Sequence, residues 1–271
     1  MEATSYVKDL IRKALNTVVR KQKVAMLHPG RCGSTVLGSL MNQHPDIFWS
    51  GEPFEKYMQL DRSLSLPQTK KIIQKAENTE ISKIYSFATK YLQDMHLSKD
   101  CINMKLPEYI NLLEELGYHK FIVINRSNHL RRAISIRRGL ETNLWHTTND
   151  ITLSKKIFLD TQEFQVGLNR YMPLIKYFNS LDEEEEKLLH VLADFDTLLL
   201  NYESDIEKDP KRAYIKTCEF LSLSPVKVDV KLKKTNPNSI PELIVNYDEV
   251  KKVIENTSYS WMLKEKCTRE T

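Results

Sequence analysis

The stretch VAMLHPGRCGSTVLGSLM, residues 24–41, places two glycines, an arginine and two hydroxyls between an apolar run and a helix-like pattern. Successive backbone N–H groups in a glycine-containing turn form a nest for an anion, and a helix N-terminus adds partial positive charge. Gly30 and Gly33 permit the backbone conformations and close approach such a nest needs. Ser34 and Thr35 offer hydroxyl donors, and Arg31 offers a planar fork to an oxyanion. Cys32 and Val36 complete the loop. The chemistry of this stretch is therefore that of a phosphate or sulfate group. In loops that hold nucleoside triphosphates, a late lysine reaches the outer phosphates. That slot holds Ser34 or Thr35 here, and the cation comes first, so ATP hydrolysis is disfavoured. An ordinary strand-turn-helix corner with a surface arginine is the alternative reading of the loop alone.

The loop needs a strand before it and a helix after it. Residues 24–27 read as a buried strand and 35–42 as the following helix. Residues 59–97 read as mostly helical: PQTKKIIQKAE opens at Pro67, and ISKIYSFATKYLQDM has apolar residues at helical spacing. CINMK, residues 101–105, reads as a short strand. PEYINLLEELGY is a helix with Pro107 in its first turn and Gly117 at its end. KFIVIN, residues 120–125, is the clearest buried parallel strand, and HLRRAISIRRG is a helix stopped by Gly139. Residues 139–156 are polar and irregular. Residues 160–181 read as one long helix, with the acidic run DEEEEK as a solvated helix start or loop. TLLLNYE is a strand candidate, KDPKRAYIKTCEFLSL a helix opened by Pro210, and PELIVNYDEVKKVIENT the last helical stretch. Residues 1–19 read as an amphipathic helix.

Strands alternating with helices imply a parallel sheet flanked by helices, an α/β domain over residues 1–271. Ligands sit at the carboxyl ends of such strands. The residues that follow Leu27, Met104 and Ile124 then matter most: the 29–35 loop, Lys105 and Arg126. Converging basic groups suit a doubly anionic nucleotide.

HPGRCGSTVLGSLMNQHPDIFWSGEPF resembles the 5′-phosphosulfate loop of sulfotransferases that use 3′-phosphoadenosine 5′-phosphosulfate (PAPS). The family's Arg/Lys, small residue, Gly, Ser/Thr and Thr are matched by Arg31, Gly33, Ser34 and Thr35. Its later His-Pro and Gly-Glu pairs are matched by His44, Pro45, Gly51 and Glu52. The layout is most similar to the Arg-type branch, which includes tyrosylprotein and many bacterial sulfotransferases. INMKLPEY resembles the family's Lys-Pro segment, VINRSNHLRRAISIRRG its 3′-phosphate segment, and NYESDIEKDPKRAYIKTCEFLSLS its Cys-x-Phe-Leu-Gly-Leu segment. The tail from residue 233 resembles stand-alone cyanobacterial natural-product sulfotransferases, such as those of the saxitoxin pathway. Three departures stand out. Ser135 lies one position further from Arg126 than in the family pattern, so either one residue is inserted at the junction or Ser127 fills the arginine slot. Ser222 replaces a glycine. A late Arg-Lys-Gly is absent, with Lys231, Lys233 and Lys234 nearest to it.

The resemblance implies a single P-loop-like sulfotransferase domain that moves a sulfonate from PAPS to a hydroxyl or amine, without a metal. It implies Glu52 as general base, with His28 as the runner-up base or an orienting residue. Arg31 and Lys105 would stabilise the transferring sulfonate and bridging oxygen. Amides from Gly33 to Val36 would hold the 5′-phosphate. Arg126 and Ser135 would hold the 3′-phosphate, with Arg131 or Arg132 as alternates and Lys233 and Lys234 in support. Tyr202 and Glu203 read as structural residues rather than adenine contacts. A helical insert over about 57–99 and the 139–156 segment would cover a small-molecule acceptor with Tyr57, Tyr85, Phe87, Tyr91, Trp145 and His146. Carbohydrate and protein-tyrosine acceptors, a nucleotide-dependent phosphotransferase and a non-catalytic nucleotide-binding protein are the competing readings.

Composition agrees with that class. The 271 residues are 41% hydrophobic and 28% charged, as in an ordinary globular chain. A net charge of +4 suits an anionic ligand but is too weak to argue for nucleic acid. No apolar run approaches the ~18 residues of a membrane span. Cys32, Cys101, Cys218 and Cys267 form no Cys-x-x-Cys pair, which fits free thiols in a reducing, cytoplasmic setting.

Overall fold

The computed structural model describes residues 22–58, 63–77, 83–149, 155–167 and 170–264. The helix expected over residues 1–19 and Cys267 lie outside them. In chain order the elements begin with β1 (Lys23–His28), α1 (Ser34–Met41), β2 (Ile47–Trp49), α2 (Leu66–Glu77) and β3 (Ile84–Lys90). There follow α3 (Leu106–Glu115), β4 (Lys120–Asn125), α4 (His129–Thr142), β5 (Phe164–Gly167), β6 (Arg170–Met172) and α5 (Leu174–Val191). The chain continues with β7 (Asp196–Asn201), α6 (Pro210–Phe220), α7 (Ile240–Leu243) and α8 (Tyr247–Ile254).

Five strands form one parallel sheet in the order β2-β3-β1-β4-β7. The inner strands feed cores on both faces. Ala25 and Leu27 of β1 and Phe121 and Val123 of β4 join one core, with side chains of α3, α4 and α5. Val24, Met26, Ile122 and Ile124 join the other, with Leu37 and Leu40 of α1 and Tyr214 and Cys218 of α6. The α/β architecture is thus as expected. β1 lies between strands reached by opposite crossovers, where such sheets open a crevice at their carboxyl edge.

Three expected elements are corrected. ISKIYSFATKYLQDM is not helical: its centre is β3, buried from Ile84 to Thr89 on both sides. A strand covered on both faces shows no alternation, so its apolar spacing mimics a helix. CINMK is not a strand but a turn, with Asn103 in the left-handed region at φ 52°. Residues 160–181 do not form one helix. The antiparallel β5–β6 hairpin comes first, and α5 starts after Pro173, so DEEEEK lies within α5.

Helix α4 also runs past Gly139 and ends at Asn143, left-handed at φ 52°. Gly139 serves packing instead, since a Cβ there would sit 2.5 Å from the Trp145 ring. Ser222, where the resembled pattern has glycine, has φ 57°, the conformation glycine favours.

Candidate functional site

The loop after β1 turns through the left-handed region at Gly30 (φ 85°), Arg31 (φ 58°) and Gly33 (φ 88°). A non-glycine residue held there needs surrounding contacts to fix it, and they are present. The His28 ring, fully buried, accepts the Gly30 N–H at Nδ1 over 3.1 Å. Arg132, also buried, donates to the Gly30 carbonyl at 2.9 Å and to the Pro29 carbonyl. Arg126 donates to the Arg31 carbonyl at 2.9 Å. The loop's carbonyls are thus drawn toward two arginines. Gly33 caps α1 without a side-chain acceptor, so the first-turn amides keep their N–H groups for an incoming anion.

Close packing restricts Gly33. A Cβ there would lie 2.8 Å from Cγ2 of Ile206, in a backbone region that costs an L-residue about 1–2 kcal/mol. Gly33→Ala is therefore expected to destabilise the fold by about 1–3 kcal/mol and to weaken anion binding. Thermal denaturation with and without adenosine 3′,5′-bisphosphate checks this. Unchanged values on both counts would remove Gly33 from the nest.

Three elements meet at Arg31. Its Nε donates to Ser135 Oγ at 2.9 Å, its Nη1 to the Trp145 carbonyl at 2.9 Å, and its Nη2 to Thr235 Oγ1 at 3.4 Å. The Trp145 ring lies 5.5 Å from the guanidinium. Burial, then the neighbouring Arg126, lowers the Arg31 pKa to about 10, which leaves it charged at neutral pH. Arg126 stacks over Tyr202 at 4.3 Å. Arg126 and Ser135 therefore flank the loop together, despite the extra residue between them. Ser127 does not take the arginine's place: its hydroxyl accepts from Asn201, and its N–H donates to Glu203. Glu203 also takes the Asn128 N–H, so it anchors the start of α4. The tail reaches the loop through Thr235. The Lys233 N–H donates to the Thr147 carbonyl, and Lys234 pairs with Glu207 at 3.4 Å; both lysine side chains are exposed. Thr235 carried no sequence signal.

Cys32 is buried, and burial raises its thiol pKa to about 11. Desolvation outweighs the lowering effect of the adjacent helix N-terminus. Cys101 and Cys218 are buried free thiols too.

Beside the loop, β1 and β3 end in register at His28 and Lys90. Glu52, after β2, sits against both. Its carboxylate lies 3.0 Å from Lys90 Nζ and 3.5 Å from His28 Nε2. Burial pushes the Glu52 pKa up, and Lys90 opposes that shift. Burial also holds His28 well below the usual histidine range, with Lys90 and His96 adding to the effect. The ring is neutral, and Nδ1 is an acceptor, so Nε2 carries the proton and faces Glu52. Glu55 bonds the same Lys90 ammonium, and His96 Nε2 lies 3.1 Å from Glu55. Glu55, His96 and Glu52 bring ligand-type atoms within 4.8 Å of one another. The Lys90 ammonium lies between the two carboxylates, in contact with both.

Lys105 is not part of this cluster. It is exposed at the start of α3, where its N–H donates to Glu108 at 3.0 Å. The error follows from reading CINMK as the strand: the lysine ending a strand next to β1 is Lys90. FATK, with its β-branched and aromatic residues, was the signal for it.

The expected acceptor cover is only partly as envisaged. Tyr85, Phe87 and Tyr91 are core residues, packed in β3 and just after it. Tyr57 is half-buried in a short 3-10 turn (Glu55–Tyr57) beside Glu55. Trp145 and His146 stand in the loop next to Arg31.

No known family profile matches the chain, and no curated protein does. Solved structures do match. A sulfotransferase from Alicyclobacillus acidocaldarius superposes with a TM-score of 0.52 over 87% of this chain and 92% of its own, at 16% identity. The chain thus shares the fold of that sulfotransferase, a parallel five-stranded sheet flanked by helices.

Proposed function

We propose that the protein transfers a sulfonate from PAPS to a hydroxyl or amine of a small-molecule acceptor. The observation that carries this reading is the pairing of an uncapped, arginine-flanked anion nest with a half-buried carboxylate and lysine at adjacent strand ends. The first-turn amides of α1, with Ser34 and Thr35, take the 5′-phosphate. Arg126 and Ser135 take the 3′-phosphate, with Lys233 and Lys234 adding positive charge nearby. Glu52 removes the acceptor's proton as its oxygen or nitrogen attacks sulfur in line. Lys90 and Arg31 offset the charge that builds on the sulfonate and on the departing bridging oxygen. His28 holds the loop through Gly30 rather than acting as base.

The resemblance of the tail favours a natural-product acceptor over a carbohydrate or protein tyrosine. The buried thiols fit a reducing cytoplasm, and no helix among the described residues is long and apolar enough to cross a membrane.

Thermal stabilisation separates this reading from phosphotransfer. Adenosine 3′,5′-bisphosphate at 100 times its dissociation constant should stabilise the chain by about 2.7 kcal/mol. ATP–magnesium at the same concentration should do far less. Stabilisation by ATP–magnesium alone would sink the sulfotransferase reading. Bisphosphate binding without any transfer, over a panel of acceptors, would leave a nucleotide-binding protein.

A further inference from the structure

Lys90 is tied to its neighbours through both its main chain and its side chain. Its N–H donates to His96 Nδ1 at 3.0 Å. That bond fixes the ring tautomer, so His96 Nε2 carries the proton and donates to Glu55 Oε2 at 3.1 Å. The same Glu55 oxygen accepts from Lys90 Nζ, closing a ring of hydrogen bonds. His96 is fully buried within it. Lys90 Nζ also lies 3.0 Å from Glu52, so one ammonium serves two carboxylates. The ionisable groups around Glu52 are Lys90 from β3, His96 at 3.9 Å from the loop after it, His28 from β1, Arg31 and Cys32 from the loop after β1, and Glu55 from the 3-10 turn.

We infer that Glu55, held in place by His96, is a positioning residue that tunes Glu52 as a base by sharing the Lys90 ammonium with it. A lysine paired with Glu52 alone would stabilise the carboxylate and blunt its pull on a proton. A second carboxylate on the same ammonium weakens that pairing and repels the charge on Glu52. Glu55 must stay ionised to do this. The His96 hydrogen bond, and after it Lys90, hold its pKa well below the usual carboxylate range. If Glu55 merely anchored the turn, its charge would not matter to Glu52.

Calling Glu52 a base rests on the proposed function, but its titration does not. The test is therefore carbon-13 NMR of the intact chain labelled at glutamate carboxyls, with the Glu52 signal assigned through Glu52→Gln. Glu55→Gln should lower the Glu52 midpoint by about one pH unit, the low end of what a close charge imposes. His96→Asn keeps an acceptor for the Lys90 N–H but loses the donor to Glu55, and should lower the midpoint by less. In transfer assays with PAPS, the acid limb of kcat/KM should move in the same direction. An unmoved Glu52 midpoint in Glu55→Gln overturns the inference. A moved midpoint with no transfer from PAPS in any variant upholds the tuning and overturns the functional reading.

Discussion

Glu52→Gln is expected to abolish nearly all sulfonate transfer, by about 10²- to 10⁴-fold, while leaving adenosine 3′,5′-bisphosphate binding intact. The amide keeps the size and one acceptor oxygen of the carboxylate but has little affinity for a proton. It lies beside the nest rather than within it, so the nucleotide's contacts persist. Burial raises the Glu52 pKa, and a base works only when ionised. Wild-type kcat/KM should therefore rise with pH through a value above the ordinary carboxylate range, and that limb should vanish in the variant. Release of bisphosphate from PAPS, followed across pH, reads both effects. Full activity in Glu52→Gln would move the proton acceptor elsewhere. His28 is poorly placed to inherit it, because the Gly30 amide occupies its Nδ1 and its Nε2 already holds a proton.

The sequence made the loop legible and left its partners half hidden, for physical reasons. Gly30, Arg31 and Gly33 announce a left-handed turn at a strand-helix junction, and local chemistry of that kind is written in local residues. KFIVIN and TLLLNYE read as strands because they are short and β-rich, with turns or charges at their ends. IYSFATK did not, since burial on both faces erases the alternation that marks a strand. That single misreading moved the candidate strand-end lysine from Lys90 to Lys105. Pro173 before α5 and the glycine within the β5–β6 hairpin were visible signals for the end of a strand pair, overridden by apolar spacing. Glu55 and His96 lie far apart in sequence, and only the return of β3 beside β1 brings them together. Their role was invisible without the fold. Arg132 was one of four arginines on α4. Nothing in RRAISIRRG tells Arg132, which holds the loop's carbonyls, from Arg138, which is also buried, or from the half-buried Arg131 and Arg137.

The sharpest contrast lies between two lysines. Lys90→Met is expected to cut transfer by about 10²- to 10³-fold, as losing one preorganised charge at a reacting oxygen commonly does. Lys105→Met should leave transfer about unchanged, since its exposed side chain joins none of the site's contacts. The methionine at 90 fills much of the same volume but strips the cation from between Glu52 and Glu55. The half-buried Glu52 and the exposed Glu55 then face each other without the ammonium they shared, so Glu52 takes up a proton more readily. The variant should accordingly lose its remaining activity more steeply as pH falls, and the loss should ease toward alkaline pH, where Glu52 ionises again. Bisphosphate affinity, measured by calorimetry, should fall far less than turnover, because the nest and Arg126 are untouched. If Lys105→Met proved the damaging change and Lys90→Met the silent one, the site would have to be rebuilt around the start of α3. Its present frame is the adjacent ends of β1 and β3, where the half-buried Glu52 carboxylate, a shared lysine and an anion nest come together.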